Sequence, residues 1–456
     1  MTSKKRQNYI GPRGYSLIKE NYPNSYLNEI RRELTVKPFV NKQFSAEANP
    51  FSVFLESKKK IYIPKHYGIE KFGFPKINKS KDLGKDINLN FGSSLRPKQI
   101  PVAEKFIKVA NERGGGIISV PCGFGKTVLA LYILCALKKK TIVIVHKEFL
   151  MDQWIERIND FIPNAKIGKI QGNIIRTEGC DIVLGMLQSI SMRDYNDEIF
   201  DEFGLVIYDE CHHLGAEIFS RSLMKVGCYY TLGLSATPDR NDGLTKVFKW
   251  FLGDIVYLIK QREKEDVSVK LVNYYNTDDN YSKELLNYQG KIIMAKMINN
   301  ICLFSPRSDL IIKYIIECFK EGRKILVLSD RREHLKYIKT TIESSKDNKI
   351  TIGYYLGGMK QQDLKDSESK NVMLGTFSMA SEGFDCKELD TIILASPKSN
   401  IEQAVGRILR KKKEDRLLVP LIIDIVDNFS VFERQGKKRK KFYEKNKYMI
   451  ESINIE

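Results

Sequence analysis

With 456 residues the chain is too long for one ordinary domain, and ~2–4 domains is the natural expectation. An apolar content of 42% supplies packed cores and separates the chain from disordered proteins. Its 75 Lys and Arg against 56 Asp and Glu leave a formal charge of +19, which favours a polyanionic partner, although a basic surface also serves solubility.

The N-terminus, Met1-Thr-Ser-Lys-Lys-Arg6, leads into no apolar run, so no secretory signal is expected. Eight cysteines are scattered without a Cys-x-x-Cys pair. That spacing argues against a disulfide framework or zinc module and fits an intracellular, reducing setting. Residues 1–90 are rich in Lys, Asn, Tyr and Phe, with short strand-like pieces at 51–55 and 61–63. They read as a small α+β N-terminal domain that ends in a polar linker, 78–85.

Between 91 and 253, apolar runs at 117–120, 141–145, 181–184, 205–208 and 230–234 alternate with helical patterns. Continuous apolar strands separated by helices predict a parallel sheet covered on both faces. After the first run comes Pro121-Cys122-Gly123-Phe124-Gly125-Lys126-Thr127. Its glycines let backbone N–H groups approach phosphate, and the following helix adds favourable partial charge. Lys126 would bind the β/γ-phosphates of a nucleotide, and the Thr127 hydroxyl a Mg²⁺ ion. The general pattern places a further glycine where this chain has Val120. The ten-residue apolar run 128–137 is half a membrane span of ~20 residues and reads as a buried helix.

Asp209-Glu210-Cys211-His212 closes the run 205–208. A carboxylate at that strand end can reach the metal, so Asp209 is the expected Mg²⁺ ligand. Glu210 is placed to orient and deprotonate an attacking water. Ser235-Ala236-Thr237, ahead of Pro238, reads either as a coupling element between nucleotide and movement or as an ordinary turn.

A connecting segment is expected over 254–305. From 306 to 427 the strand–helix alternation returns, with apolar runs at 324–328, 350–354, 371–375, 391–394 and 418–423. Gly383 and Asp385 follow the third of these, which would place Asp385 near the ribose. Gln403, Arg407 and Arg410 have i, i+4, i+7 spacing and so are expected on one helical face. Two guanidinium groups there suit the charge of a phosphoryl transition state. Residues 428–456 read as a basic helical tail. Its run at 437–441 is a solvated face, an auxiliary phosphate-binding surface or a nuclear-import signal.

In content, order and spacing these motifs resemble superfamily 2 helicases, from about Leu95 to the end of the second α/β region. Pro-Cys-Gly-x-Gly-Lys-Thr, with Val120 before it, is similar to the XPB-like branch, which includes poxvirus transcript-release helicases. The resemblance implies an α/β protein with two tandem RecA-like lobes that binds ATP and Mg²⁺. It implies a nucleic-acid partner held mainly by its backbone, DNA favoured and RNA possible, and no membrane association. Leu95-Arg-Pro-Lys-Gln99 looks like the adenine-reading segment, which gives Gln99 that role. His146, Lys147 and Gln188 fall in segments that look like the first lobe's strand contacts, and Gly357 and Thr376 in their second-lobe counterparts. Arg240-Asn241-Asp242 stands where the branch carries Arg-Glu-Asp, so Arg240 is an expected nucleic-acid contact while Asn241 departs from the pattern. Closure of the lobes would bring Gln403, Arg407 and Arg410 to the γ-phosphate. The compact size suggests a viral or phage source. Rival readings are an ATP-dependent RNA helicase, the motor subunit of a restriction system, for which no nuclease carboxylate cluster is visible, and a non-catalytic scaffold.

Overall fold

The computed structural model describes residues 7–38, 49–82, 84–121, 123–211, 216–236, 243–259, 265–344, 349–382, 386–411 and 413–456. The chain divides into two units, 1–261 and 262–456.

The first unit is built on an eight-stranded sheet. Its order is Ile174–Arg176, Ile167–Gln171, Ile182–Met186, Thr141–Val145, Leu205–Tyr208, Tyr230–Ser235, Gly115–Ser119, Ile255–Leu258. Every neighbouring pair is parallel except the hairpin of Ile167–Gln171 with Ile174–Arg176. The central strands are apolar and buried along their whole length, as a sheet covered on both faces requires. The helix Lys126–Leu137 is apolar around most of its circumference and sits inside this core.

Residues 9–78 contribute a second, five-stranded sheet to the same unit. Its helix Lys65–Phe72 packs on the helix Thr245–Leu252, where the Tyr67 and Trp250 rings meet edge to face at 5.3 Å. The buried Lys65 Nζ donates to the carbonyls of Tyr229 (2.6 Å) and Gly114 (3.3 Å). The N-terminal sheet is thereby docked against the strands that carry the phosphate loop.

The second unit holds a seven-stranded, all-parallel sheet. Its order is Ile352–Tyr355, Val372–Gly375, Ile325–Leu328, Thr391–Leu394, Leu421–Asp427, Ser268–Tyr274, Met449–Ile455. Two expectations are corrected here. The segment 254–305 is no separate connector, because it supplies Ile255–Leu258 to the first sheet and Ser268–Tyr274 to the second. The tail is helical only over Ser430–Lys445, and Met449–Ile455 then pairs in parallel with Ser268–Tyr274. Ser268–Tyr274 and Met449–Ile455 interrupt their apolar residues with Ser, Lys, Glu and Asn, a weaker signal than the solid runs of the central strands. No described helix is long and apolar enough to cross a membrane.

Candidate active site

Because the central strands run parallel, their carboxyl ends share one edge, which is where an open α/β sheet places its ligands. Along that edge of the first unit lie Gln188, His146 with Lys147, Asp209 with Glu210, Ser235 with Ala236, and the described loop residues 120, 121 and 123–126, each segment at the end of its own strand. Five segments dispersed along the sequence are brought together by topology alone.

The phosphate loop is fixed from both sides. Val120, where a glycine was expected, is fully buried in the core, and its N–H donates to the Ser235 carbonyl at 3.0 Å. The valine thus anchors the loop to the neighbouring strand Tyr230–Ser235. Gly125 has φ +89, which favours glycine, and a Cβ there would meet the Gln99 amide nitrogen at 2.6 Å and displace it. Gln99 is buried and its Nε2 donates to the carbonyls of Phe124 (3.0 Å) and Gly125 (3.2 Å). Its Oε1 accepts the Arg96 N–H at 2.9 Å. Gln99 therefore braces the loop, and reading an adenine would require it to exchange one of these bonds. Pro121, Gly123, Phe124 and Thr127 complete the described loop, with Thr127 in the first turn of Lys126–Leu137.

Lys126 Nζ lies 2.9 Å from Glu210 Oε1, both side chains nearly buried. This ion pair spans the intervening strand and joins the loop to the carboxylate pair. Glu210 has φ +47, the left-handed region that non-glycine residues seldom adopt, at a cost of order 1–3 kcal/mol. Its N–H donates to Asp209 Oδ1 at 3.0 Å, and Asp209 Oδ2 accepts the indole N–H of Trp154 at 2.8 Å. Burial and the adjacent Glu210 charge push the Asp209 carboxyl up to about 6, while the Trp154 bond and Lys126 oppose that shift. A divalent cation is the natural counter-charge for such a buried acid.

On the neighbouring strands, the Gln188 amide donates to the His146 carbonyl at 2.9 Å, which ties two expected nucleic-acid contacts together. Lys147 immediately precedes the helix Glu148–Phe161, with its ammonium 5.8 Å from the Phe149 ring centre. In the second unit, Gly357 and Thr376 follow the adjacent strands Ile352–Tyr355 and Val372–Gly375 and share one sheet edge.

The expected helical face of Gln403, Arg407 and Arg410 is corrected. The helix spans only Glu402–Val405, and Arg407 N and Ile408 N bond three residues back in a tighter turn. Gly406, a poor helix former, sits at the break. Arg407 is buried and its Nε donates to the Ala380 carbonyl at 2.6 Å. Cys122, His212, Thr237, Arg240, Gly383 and Asp385 lie outside the described residues. Trp154 was not singled out from the sequence; its lone indole donor on an otherwise apolar helical face was the available signal.

Residues 92–240 match the family model described as type III restriction enzyme, res subunit, and residues 307–412 match the helicase conserved C-terminal domain. An Acanthamoeba polyphaga mimivirus protein named "Putative ATP-dependent RNA helicase L396" is 37% identical over 450 residues, 97% of this chain and 86% of the relative. The "DNA 3'-5' translocase XPB2" of Sulfurisphaera tokodaii is 26% identical over 354 residues, 67% of this chain and 77% of the relative. Among solved structures, "The fragment structure of a putative HsdR subunit of a type I restriction enzyme from Vibrio vulnificus YJ016" superposes with TM-score 0.57 at 18% identity. It covers 80% of this chain and 70% of that one, a likeness of fold.

Proposed function

This chain belongs to the superfamily 2 helicases, ATP-dependent by that membership, and from this premise we propose a motor that tracks DNA by its phosphate backbone. The observation that carries the motor is the Lys126–Glu210 pair beside Asp209, on the same sheet edge as the joined His146 and Gln188, and the relative named as a DNA translocase favours DNA as its track. The proposed hydrolytic centre and the proposed strand contact thus fall on neighbouring strands.

The residues suit a nucleoside triphosphate with Mg²⁺: a buried acid, a hydroxyl in the first helical turn and two positive-φ glycines ahead of that helix. Thr127 and Asp209 would hold the metal, which when bound neutralises charge on the phosphate oxygens. Lys126 exchanges its pairing with Glu210 for the β/γ-phosphates. Glu210, so released, orients the attacking water and accepts its proton. Ser235 and Ala236 relay the change to the sheet edge. Arg407 and Arg410 are the proposed source of further positive charge at the γ-phosphate, and Gln403 of an amide donor there. Residues 1–90, with 18 Lys and Arg against 8 Asp and Glu, are proposed to engage the nucleic acid as well.

Measuring ATP hydrolysis with single-stranded DNA, duplex DNA and RNA of equal length tests the track. DNA is expected to stimulate most. An RNA track is the second reading, favoured by the name of the mimivirus relative, and predominant stimulation by RNA would select it. Lys126→Ala and Glu210→Gln are each expected to lower hydrolysis by about a hundredfold or more, with nucleic-acid binding retained. Wild-type turnover in either variant would refute the assignment of the centre.

A further inference from the structure

Trp154 lies on the apolar face of the helix Glu148–Phe161 with Leu150, Met151 and Ile158, all buried. Filling that face needs only an apolar ring. The indole nevertheless directs its N–H 2.8 Å onto Asp209 Oδ2, across 55 residues of sequence. The other carboxylate oxygen is held by the Glu210 N–H, so Trp154 is the side chain that sets the tilt of this carboxylate. The same helix starts directly after His146 and Lys147, and Met151 N bonds back to the Lys147 carbonyl. Gln188 is attached to the His146 carbonyl. A continuous path therefore runs from Gln188 and His146 through one rigid helix to Asp209, and on through Glu210 to Lys126.

We propose that Trp154 is a positioning residue that transmits nucleic-acid engagement at the His146–Lys147–Gln188 edge to the Asp209 carboxylate. The proposal rests on the motor reading above. A strand that pulls on His146 or Gln188 shifts the helix, and the rigid indole carries that shift to the carboxylate through a charge-assisted hydrogen bond. A ring that only fills space would transmit no such change.

Trp154→Phe keeps the packing and deletes the donor. ATP hydrolysis is measured with and without nucleic acid across a Mg²⁺ titration, alongside thermal unfolding. The expected result is a loss of about tenfold in nucleic-acid stimulation of kcat and a weaker Mg²⁺ half-saturation, with the unfolding midpoint little changed. A second readout avoids altering the site. The chain has two tryptophans, so Trp250→Phe leaves Trp154 as the only indole emitter. Addition of nucleic acid without nucleotide is expected to shift its emission. Stimulation within twofold of wild type in Trp154→Phe, or emission unmoved by nucleic acid, overturns the proposal while leaving the motor reading intact. Absence of any nucleic-acid stimulation in the wild-type protein overturns both.

Discussion

Lys65 shows how a single buried charge can record the docking of one sheet on another. Burial lowers its ammonium to about 7, with Cys228 nearby opposing the shift weakly. The folded protein thus binds this proton less readily than the unfolded chain, whose lysine titrates near 10.5. Between those values the unfolded state carries more protons, so stability rises with pH across about 7 to 10.5 and is flat below. Each pH unit in that window contributes at most ~1.4 kcal/mol from this group. Lys65→Met is expected to remove that part of the slope, which urea unfolding of the wild type and variant at several pH values would reveal. At this scale the sequence was legible where chemistry is stereotyped. Lys126 and Glu210 pair in space beside Asp209, at the ends of the two apolar runs that announce them. The Gln99 brace, the Trp154 bond and the buried Arg407 were not legible, because each depends on which carbonyl or carboxylate a distant segment delivers.

At the scale of elements, the second unit is tied together by buried ion pairs that no motif announces. Arg307, in the first turn of the helix Ser305–Lys320, meets both oxygens of Asp427 at 2.6 and 3.0 Å and donates to the Ala395 carbonyl at 2.7 Å. Tyr281 adds its hydroxyl to Asp427 at 2.7 Å. One helix and the ends of two strands are fixed by this cluster. Arg307→Met strands a buried carboxylate and is expected to destabilise the unit by about 3–5 kcal/mol. Adding Asp427→Asn should restore part of the loss, as a double-mutant cycle by urea denaturation would measure. The solid apolar runs, such as 141–145, 205–208 and 391–394, were readable because a strand covered on both faces tolerates little else. Ser268–Tyr274 and Ile167–Gln171 are interrupted by polar residues, and their place became evident only from their neighbours.

Across the whole molecule, the basic charge is not all available to a partner. In the run 437–441, Arg439 is buried and grips both oxygens of Asp424, so it belongs to the core of its unit. Gly436 lets its helix approach Leu421–Asp427 closely, since a Cβ there would strike Val426. The exposed residues of the run are Lys437, Lys438, Lys440 and Lys441. Replacing these four by Gln is expected to flatten the dependence of log affinity on log salt by about 0.7–0.9 for each phosphate no longer neutralised. An unchanged slope would identify them as a solvated face. The order of strands in the second sheet has a further consequence. Ser268–Tyr274, the earliest strand of that sheet, is held between its two latest, Leu421–Asp427 and Met449–Ile455. During synthesis the first unit can fold as soon as its own strands leave the ribosome, but Ser268–Tyr274 must wait with both edges open until its two late partners have emerged. The nascent second half is therefore the stage at which this chain most needs a chaperone.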